Sequence, residues 1–412
     1  MTAPWHLLDD RIRGFWDLDR ARAGDAEVAA DETLLWLPCA YTTAGGAHTE
    51  HFAEMYGWDT HFINLGLLAH DRTDLVLGHL QNQLHMIERY GRVLNGNRSY
   101  YLTRGQPPVL AASIAAYLAH PAVNEDDAEV TTLIGRGAAL LAREHDGYWG
   151  ADHHVTASGL TRAVDLGDPR LRAELASEAE TGLDFTPIFG GDARRCVPLV
   201  LNCALARTAE VIADLHERLG STPAAEHWRA VREARSAAIT RLCWDGESLF
   251  FFEHDVVAGH QIPVRSLAAY WTMWAGIASP EQAQALVAAL PAFRGAGGLT
   301  FTDRSAPSPH QDLPVLQWAH PSGWPPMQMV VVEGLQRYGY HQLATEIARD
   351  FTDLQVRVHA ETGELWERYD VVGGGVDLPV ERYPVVPMHG WAAASAAVLG
   401  RLAYTERKVA AP

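Results

Sequence analysis

Two acidic residues lie in segments whose neighbours suit acid–base chemistry. Asp184 occurs in the segment 180–189, ETGLDFTPIF, where flanking apolar residues favour a raised carboxyl pKa and hence a proton donor. Glu367 occurs in the segment 364–375, ELWERYDVVGGG, where an ionised carboxylate can act as the base that activates water. A capping or turn Asp and an exposed charged turn are the alternative interpretations of these two residues.

A third segment, 95–108, has the composition of a binding site for a sugar or a small polyol. It reads NGNRSYYLTRGQPP, shows no apolar period, and carries the hydrogen-bonding residues Asn95, Arg98, Arg104 and Gln106 beside two tyrosines. Guanidinium and carboxamide groups bind hydroxyls, and aromatic faces cover the apolar face of a sugar ring. The alternative is a surface loop whose arginines pair with acidic side chains.

Two further segments are rich in tryptophan. The segment 52–59, FAEMYGWD, places Trp58 beside Asp59, which combines a stacking face with a hydrogen-bond acceptor, although Asp59 is also a candidate helix cap. The segment 317–328, QWAHPSGWPPMQ, has prolines that interrupt helix and can leave the rings of Trp318 and Trp324 exposed. Packing of both rings in the core is the alternative.

Composition and charge exclude several classes of function. The chain has 412 residues and a net charge of −18, which disfavours nucleic acids and anionic membranes as partners. Lys408 is the only lysine, so Schiff-base and P-loop phosphate chemistry are excluded. No run approaches about 20 apolar residues and no secretory signal is seen. The cysteines lack CxxC spacing, and the sequence therefore predicts a cytoplasmic protein with reduced thiols.

Signals for metal ions and other cofactors are weak. His48, His51 and Glu54 fit an HxxHxxE spacing, and His153 is followed directly by His154, but no H-E-x-x-H motif is present. No G-x-S-x-G segment indicates a serine nucleophile. We therefore expect no cofactor and no metal, with these histidines as surface or hydrogen-bonded residues.

Helical periodicity dominates the chain and predicts an all-α protein. Strand signals are limited to short ribbons near 33–37 and 249–252. Paired helices without a sequence repeat favour a closed toroid over an open solenoid, and loops of unequal length predict one functional rim. We expect a single catalytic domain, 1–412, with 1–35 as an N-terminal helical extension. The predicted helices are 7–22, 59–70, 73–90, 106–119, 127–145, 169–180, 197–219, 222–242, 263–277, 280–290, 324–338, 340–356 and 389–405.

Several of these segments, in this order, resemble motifs of the trehalases (glycoside hydrolase family thirty-seven). Segment 95–108 resembles NGxRxYYLxRSQPP, 52–59 resembles the end of PGGRFxExYxWD, and 317–328 resembles QWDxPxGWxPxQ. The chain also resembles the mannosylglycerate and glucosylglycerate hydrolases of family sixty-three. The resemblance implies an (α/α)6 toroid and an inverting mechanism. Through the match of TGLDF to SGWDF and of WERYD to EKYD, it gives Asp184 the role of general acid and Glu367 that of general base.

The resemblance also implies a substrate-binding set and marks where the chain departs from trehalases. His51 stands where the first signature has Arg, and Ala319 stands where the second has Asp. The family's PRPE segment is replaced by 158–169, in which Arg162 is the best substitute cation. These positions are expected to decide what the cleaved sugar is attached to. The predicted binding residues are Phe52, Tyr56, Trp58, Asp59, Asn95, Arg98, Arg104, Gln106, Arg162, Gly182, Gln317, Trp318, Trp324, Trp366 and Trp391.

The leading hypothesis is an inverting α-glycosidase that hydrolyses a small α-glucoside or α-mannoside with water as second substrate. Trehalose and the glycosylglycerates are the first candidates. One alternative is a sugar epimerase or isomerase on the same fold, which usually relies on a histidine pair. The other is a non-catalytic sugar-binding protein, favoured by His51 and Ala319 and opposed by retention of both carboxylates.

Overall fold

The protein is largely helical, as the sequence predicts. The computed structural model describes residues 4–49, 51–379 and 383–405, so Lys408 lies outside the described residues. No helix in the described ranges is long and apolar enough to cross a membrane. The helices are α1 Pro4–Leu18, α2 Asp25–Ala30, α3 Asp59–Ala69, α4 Thr73–Tyr90, α5 Leu110–Leu118, α6 Ala128–Gly147, α7 Ala173–Glu180, α8 Leu199–Arg218, α9 Thr222–Cys243, α10 Trp271–Trp274, α11 Pro280–Ala289, α12 Pro325–Arg337, α13 His341–Thr362 and α14 Gly390–Tyr404.

Short antiparallel ribbons join the loops between the helices. The strands are β1 Arg20–Ala21, β2 Tyr41–Thr42, β3 Cys196–Val197, β4 Trp244–Asp245, β5 Phe250–Phe251, β6 His254–Asp255, β7 His260–Gln261, β8 Arg294–Gly295, β9 Gly298–Leu299, β10 Ser322–Gly323 and β11 Tyr369–Asp370. β1 pairs with β2, β3 with β6, β6 with β7, β4 with β5, β8 with β9 and β10 with β11. The pair β10–β11 is the one nearest the candidate base, since β11 begins two residues after Glu367.

Alternate helices form a closed inner ring. α3, α5, α8, α10, α12 and α14 each contact the next in this series, and α14 contacts α3, which closes the ring. α4, α6, α9 and α13 pack outside their partners, and α1 packs on α13 and α14. This is the (α/α)6 toroid, and the closed ring excludes the open solenoid. The division into one domain with an N-terminal extension stays a prediction.

The sequence explains which helices form the inner ring. α8, α12 and α14 bury residues around most of their circumference, as expected for helices that are apolar on all sides. The outer helix α9 buries few of its residues and exposes a charged face. α14 is rich in alanine, so it can lie close to α3. α1 is fixed to α14 by a hydrogen bond of 2.8 Å from the indole of Trp5 to the carbonyl of Ala396.

Loops at the two ends of the ring differ greatly in length. The links from an inner helix to its outer partner are short, as at 70–72, 219–221 and 338–340. The segments that lead into inner helices are long and carry nearly all of the predicted site residues; they are 43–58, 91–109, 148–198, 244–270, 290–324 and 363–389. The predicted functional rim is therefore the end at which the inner helices begin.

The structure differs from the predicted elements in a few places. The predicted helix 263–277 is a 3-10 turn, Leu267–Tyr270, followed by the single turn α10. That stretch is buried on all sides, so its sequence has no apolar period from which a length could be inferred. The ribbon near 249–252 is present as β5, whereas 33–37 makes only one isolated bridge, Leu34 to Arg98. The short helix α2 was not predicted.

Candidate active site

A cavity of about 290 Å³ opens at the functional rim, close to the lower limit of roughly 300 Å³ for small-molecule pockets. It is bordered by segments that lead into α3, α5, α8, α12 and α14. Both predicted catalytic carboxylates lie in its wall. The lining residues are Phe52, Tyr56, Trp58, Asp59, Asn95, Tyr101, Arg104, Gln106, Arg170, Leu171, Ala179, Gly182, Asp184, Gln317, Trp318, Trp324, Glu367, Tyr383, Met388 and Trp391.

Glu367 is buried and hydrogen-bonded on both carboxylate oxygens, so it is not an exposed charged turn. The phenol of Tyr383 donates to Oε1 at 2.7 Å, and Nη1 of Arg368 donates to Oε2 at 2.9 Å. Burial raises the pKa of Glu367, while the charge of Arg368 and the Tyr383 hydrogen bond oppose that rise. The backbone amide of Glu367 is fixed by the carbonyl of Val386 at 3.0 Å. These contacts favour the ionised form of Glu367 at the wall of the cavity.

Asp184 lies half-buried in a tight loop between α7 and β3. Gly182 and Phe185, on either side, have positive φ angles of 75° and 62°. A carboxylate oxygen of the buried Glu178 accepts hydrogen bonds from the backbone amides of Phe185 at 2.9 Å and Thr186 at 3.4 Å. A non-glycine residue such as Phe185 keeps the strained left-handed conformation only where surrounding contacts compensate for the strain. The loop is therefore built to hold the Asp184 carboxyl in a fixed position.

The side chain of Gln317 links the two catalytic candidates. Its Nε2 donates to Oδ2 and to the backbone carbonyl of Asp184, both at 3.1 Å. Its Oε1 accepts from Arg368 at 3.0 Å and from the phenol of Tyr383 at 3.3 Å, and both of these donors also bind Glu367. Because Arg is only a donor, the carboxamide must point its oxygen at Arg368 and its nitrogen at Asp184. One amide thus fixes the relative positions of the acid and the base.

Asp59 supplies a third carboxyl group to the cavity. It is buried in the first turn of α3, and its side chain does not cap the helix. Burial raises its pKa to about 8, and the nearby charges of Glu367 and Asp184 add to the rise. At neutral pH the carboxyl is protonated and can donate a hydrogen bond to a sugar hydroxyl.

Four tryptophans, Trp58, Trp318, Trp324 and Trp391, form the apolar wall. Trp318 and Trp324 stack with ring centroids 3.8 Å apart, and Trp391 meets Trp324 edge-on at 5.8 Å. Trp58 lies 5.8 Å from Trp318. All four are buried, as the core-packing alternative predicts, and all four still border the cavity. The wall is therefore a rigid face for a sugar ring.

The segment 95–108 supplies polar groups to the opposite wall. Arg104 donates to Asn95 at 2.7 Å and forms ion pairs with Asp165 at 2.9 Å and Asp168 at 2.6 Å. Arg98 instead pairs with Glu54 at 2.8 Å and with Asp31, outside the lining. Arg98 therefore fits the alternative of a surface loop whose arginines pair with acidic side chains. Arg104 is also paired with acidic side chains, but it borders the cavity.

Two more of the predicted binding residues lie away from the cavity lining. Arg162 donates to the backbone carbonyls of His153 at 2.9 Å and Arg194 at 3.4 Å, so its guanidinium is used within its own loop region. The indole of Trp366 donates to Thr362 at 3.2 Å on the outer side. Like Arg98, these residues do not border the cavity that the other predicted binding residues line, so their role in binding stays a prediction.

The predicted specificity positions His51 and Ala319 also lie outside the lining. His51 is exposed, and Ala319 packs against Phe185 and its apolar neighbours. Among the described residues, a second cation borders the cavity beside Arg104: Arg170, which lies 3.9 Å over the ring of Tyr100 and pairs with Asp168 at 2.8 Å.

Sequence reasoning missed Tyr101, Arg170, Leu171, Ala179, Tyr383 and Met388 as lining residues. Arg170 directly follows the segment 158–169, which stands in place of the family's PRPE segment, so the nearest sequence signal lies one residue away. Tyr101 is one of the two tyrosines of the polar segment 95–108. For Tyr383 no local pattern indicates a site, because its partners Glu367 and Gln317 come from other loops.

The family profile described as Trehalase matches residues 21–173 and 178–401, which together cover most of the chain. The chain belongs to the trehalase family. This confirms the resemblance drawn from the motifs.

Individual relatives give the same result. The cytosolic neutral trehalase of Saccharomyces cerevisiae is 28% identical over 401 residues, covering 84% of this chain and 52% of the relative. A periplasmic trehalase of Escherichia coli is 25% identical, covering 93% of this chain and 72% of the relative. The chain spans about half the length of the first yeast relatives that it matches.

Solved structures share the fold. The neutral trehalase Nth1 of Saccharomyces cerevisiae superimposes with a TM-score of 0.77 at 26% identity, covering 89% of this chain and 74% of that chain. A family sixty-three mannosylglycerate hydrolase from Thermus thermophilus has a TM-score of 0.65 at 17% identity, covering 97% and 100%. At that identity the second likeness concerns the fold alone. The predicted (α/α)6 toroid is confirmed.

Proposed function

We propose that this chain is an inverting α-glycosidase that hydrolyses a small α-glucoside, with α,α-trehalose as the first substrate to test. The observation that carries the proposal is the Gln317 carboxamide, which joins Asp184 to the donors of Glu367 at the wall of one cavity. Two carboxyl groups in different environments, held at fixed positions, are what glycoside hydrolysis requires. Membership of the trehalase family supports the choice of sugar.

Each step of hydrolysis is assigned to a side chain of the cavity or to water. Asp184 gives its proton to the glycosidic oxygen as the C–O bond breaks, and the leaving sugar departs with a new hydroxyl. Glu367 takes a proton from a water molecule, whose oxygen forms the new bond to the anomeric carbon from the opposite ring face. Gln317 binds Oδ2 of Asp184 and so orients the carboxyl for this transfer.

Neighbouring groups adjust the charge at the reaction centre. Tyr383 and Arg368 stabilise the ionised form of Glu367 and so oppose the rise in its pKa that burial causes. The neutral carboxyl of Asp59 can donate to a sugar hydroxyl without adding a second negative charge beside that of Glu367. The tryptophan wall lowers the local dielectric, so interactions with the positively charged transition state are stronger than in water. Such interactions raise the rate only if they are stronger in the transition state than in the ground state.

The alternatives are less well supported. An epimerase or isomerase would use a histidine pair, and within the described residues no histidine borders the cavity. A sugar-binding protein without activity would have no need for Tyr383 and Arg368 on Glu367. A glycosylglycerate remains the second candidate substrate, because Arg170 places a cation at the cavity where a glycerate carboxylate could bind.

Product stereochemistry and a catalytic variant test the proposal together. NMR of freshly cleaved trehalose should show equal amounts of α- and β-glucose before mutarotation, because inversion converts one of the two α-linked sugars. Asp184→Asn should keep sugar binding in calorimetry and lose nearly all turnover. Two equivalents of α-glucose would contradict inversion, and wild-type turnover by the variant would remove Asp184 from the mechanism.

A substrate panel addresses the group attached to the cleaved sugar. Trehalose, kojibiose, glucosylglycerol, glucosylglycerate and mannosylglycerate share an α-linked sugar and differ in the leaving group. We expect the highest kcat/KM on trehalose. A preference for the glycerates that is lost in Arg170→Met would instead assign the glycerate carboxylate to Arg170.

We also propose a cytoplasmic location. The four cysteines are all unpaired, and three of them are buried. Among the matched relatives, the yeast neutral trehalase is cytosolic and the Escherichia coli enzyme is periplasmic. Fractionation of the native host, with detection of this chain by antibody, would test the location.

A further inference from the structure

A cluster of metal-ligating side chains lies behind the cavity wall and takes no part in the proposed hydrolysis. It comprises Asp19, which follows α1, His48 from the loop before α3, and His389 from the residue before α14. One ligand atom from each residue lies within 4.8 Å of the other two. We propose that these three residues bind a divalent transition-metal ion, with Zn²⁺ as the first candidate. This differs from the sequence prediction that no metal is bound.

Two of the three ligands are already fixed in place. Oδ2 of Asp19 lies 2.8 Å from Nδ1 of His389, and both side chains are almost fully buried. The other oxygen of Asp19 accepts the backbone amide of Ala47 at 2.8 Å. The imidazole of His389 stacks on Phe15 with centroids 3.9 Å apart. The ligand atoms of a zinc site lie roughly 3.3 Å apart at bond lengths of about 2.0–2.1 Å, so this pair needs little rearrangement.

His48 is oriented so that Nδ1 is its metal-binding nitrogen. Its Nε2 lies 3.3 Å from a carboxylate oxygen of Glu364. With its proton on Nε2, facing this carboxylate, the imidazole has a lone pair on Nδ1. A carboxylate that holds the second nitrogen of a ligating histidine is the usual supporting contact of metal sites. Since His48 is exposed, it can move the short distance toward the other two ligands.

Gly46 packs directly against both imidazoles. A Cβ atom at this position would lie 2.8 Å from Nδ1 of His389 and 3.0 Å from Nδ1 of His48, which is too close for a side chain. Gly46 also has a φ of 99°, which disfavours any other residue. Glycine therefore lets the backbone pass beside the two rings, whose centroids lie 4.0 Å apart.

The chemistry of the donors selects the ion. Two imidazole nitrogens and one carboxylate oxygen suit Zn²⁺ or Co²⁺, whereas Mg²⁺ and Ca²⁺ prefer oxygen ligands. Water would take the fourth position on the exposed side of His48. On binding, neutral His389 carries its proton on Nε2, and the metal replaces the proton between Nδ1 and Asp19. The ion would join three chain segments whose neighbours Phe52 and Met388 border the cavity.

Cobalt binding by the full-length protein tests the proposal. After dialysis against a chelator, titration with Co²⁺ should give saturable visible absorption of a four-coordinate site at one equivalent, and Zn²⁺ should remove it. His48→Ala should weaken binding at least tenfold, while the nearby exposed His51→Ala serves as the matched control and should bind as the wild type does. Glu364→Gln should weaken binding roughly tenfold or more through loss of the supporting contact.

Thermal unfolding gives a second measurement that does not depend on cobalt geometry. Excess Zn²⁺ should raise the Tm of the wild type and of His51→Ala, and should not raise the Tm of His48→Ala. The proposal is overturned if the wild type shows no saturable Co²⁺ absorption, or if His48→Ala binds Co²⁺ as tightly as the wild type. In either case Asp19 and His389 form only a hydrogen-bonded pair with the His48 ring beside it.

Discussion

Removal of the Tyr383 hydroxyl should move the acid limb of the pH–rate profile upward. In Tyr383→Phe, Oε1 of Glu367 loses a hydrogen bond of 2.7 Å, while its ion pair with Arg368 at 2.9 Å remains. The ring itself stays in place, so the packing against Phe52 is kept. The variant therefore removes one donor to the proposed base, together with the longer contact of 3.3 Å from the same hydroxyl to Oε1 of Gln317.

The size of the shift follows from the strength of that hydrogen bond. A hydrogen bond to a charged group contributes about 1.5–3 kcal/mol, and about 1.36 kcal/mol corresponds to one pKa unit. Because Tyr383 borders an open cavity, water can replace part of the lost interaction, so we expect the lower end, roughly one unit. The base is active when ionised. Raising its pKa therefore lowers the rate at acidic pH and leaves the rate well above the pKa nearly unchanged.

The assay is kcat/KM on trehalose across the acidic range, fitted for the lower apparent pKa. Tyr100→Phe is the matched control, because the Tyr100 hydroxyl lies 3.5 Å from Glu54 and does not contact Glu367. A profile of Tyr383→Phe that superimposes on the wild type, or one that moves to lower pH, would refute this account of how Glu367 is kept ionised.

Three further substitutions test the framework of the site. Gln317→Leu removes hydrogen bonds to two charged partners, so kcat should fall by roughly 10–100-fold with a smaller change in KM. Gly182→Ala places a Cβ 3.0 Å from the Trp58 ring at a φ of 75°, and the free energy of unfolding should decrease by about 1–3 kcal/mol. Glu178→Ala leaves His310, 3.0 Å away, without its buried partner and should cost about 3–5 kcal/mol.

Each of these has its own measurement. Steady-state kinetics decides Gln317→Leu, and an effect confined to KM would show that Gln317 only binds substrate. Urea unfolding measures the change in the free energy of unfolding for Gly182→Ala and Glu178→Ala. Gly135→Ala in α6 is the control for Gly182→Ala, because its Cβ meets nothing within 4 Å and should be neutral or slightly stabilising. Unchanged stability in Glu178→Ala would show that the Glu178–His310 pair does not hold the Asp184 loop.

The sequence by itself determined most of the helices and led to the proposal of Asp184 and Glu367 as the two catalytic carboxylates. α4 was predicted as 73–90 and is Thr73–Tyr90, because its apolar period is regular and Gly91 ends it in the left-handed conformation at φ 80°. Local periodicity and end signals are carried by consecutive residues, so they can be inferred without the fold. Asp184 and Glu367 were assigned through motifs that are also local in sequence.

Only the tertiary structure decided which side chains surround those carboxylates. Arg162 and Arg170 lie in the same stretch of sequence, yet Arg162 bonds backbone carbonyls and Arg170 borders the cavity. Tyr383 reaches Glu367 because Val386 and Pro387 pair with the strand-like segment around Trp366 and Glu367. His48 faces Asp19 and His389, which are far from it in the chain. Such contacts depend on how loops from several helix pairs meet at one rim, and no single stretch of sequence contains that information.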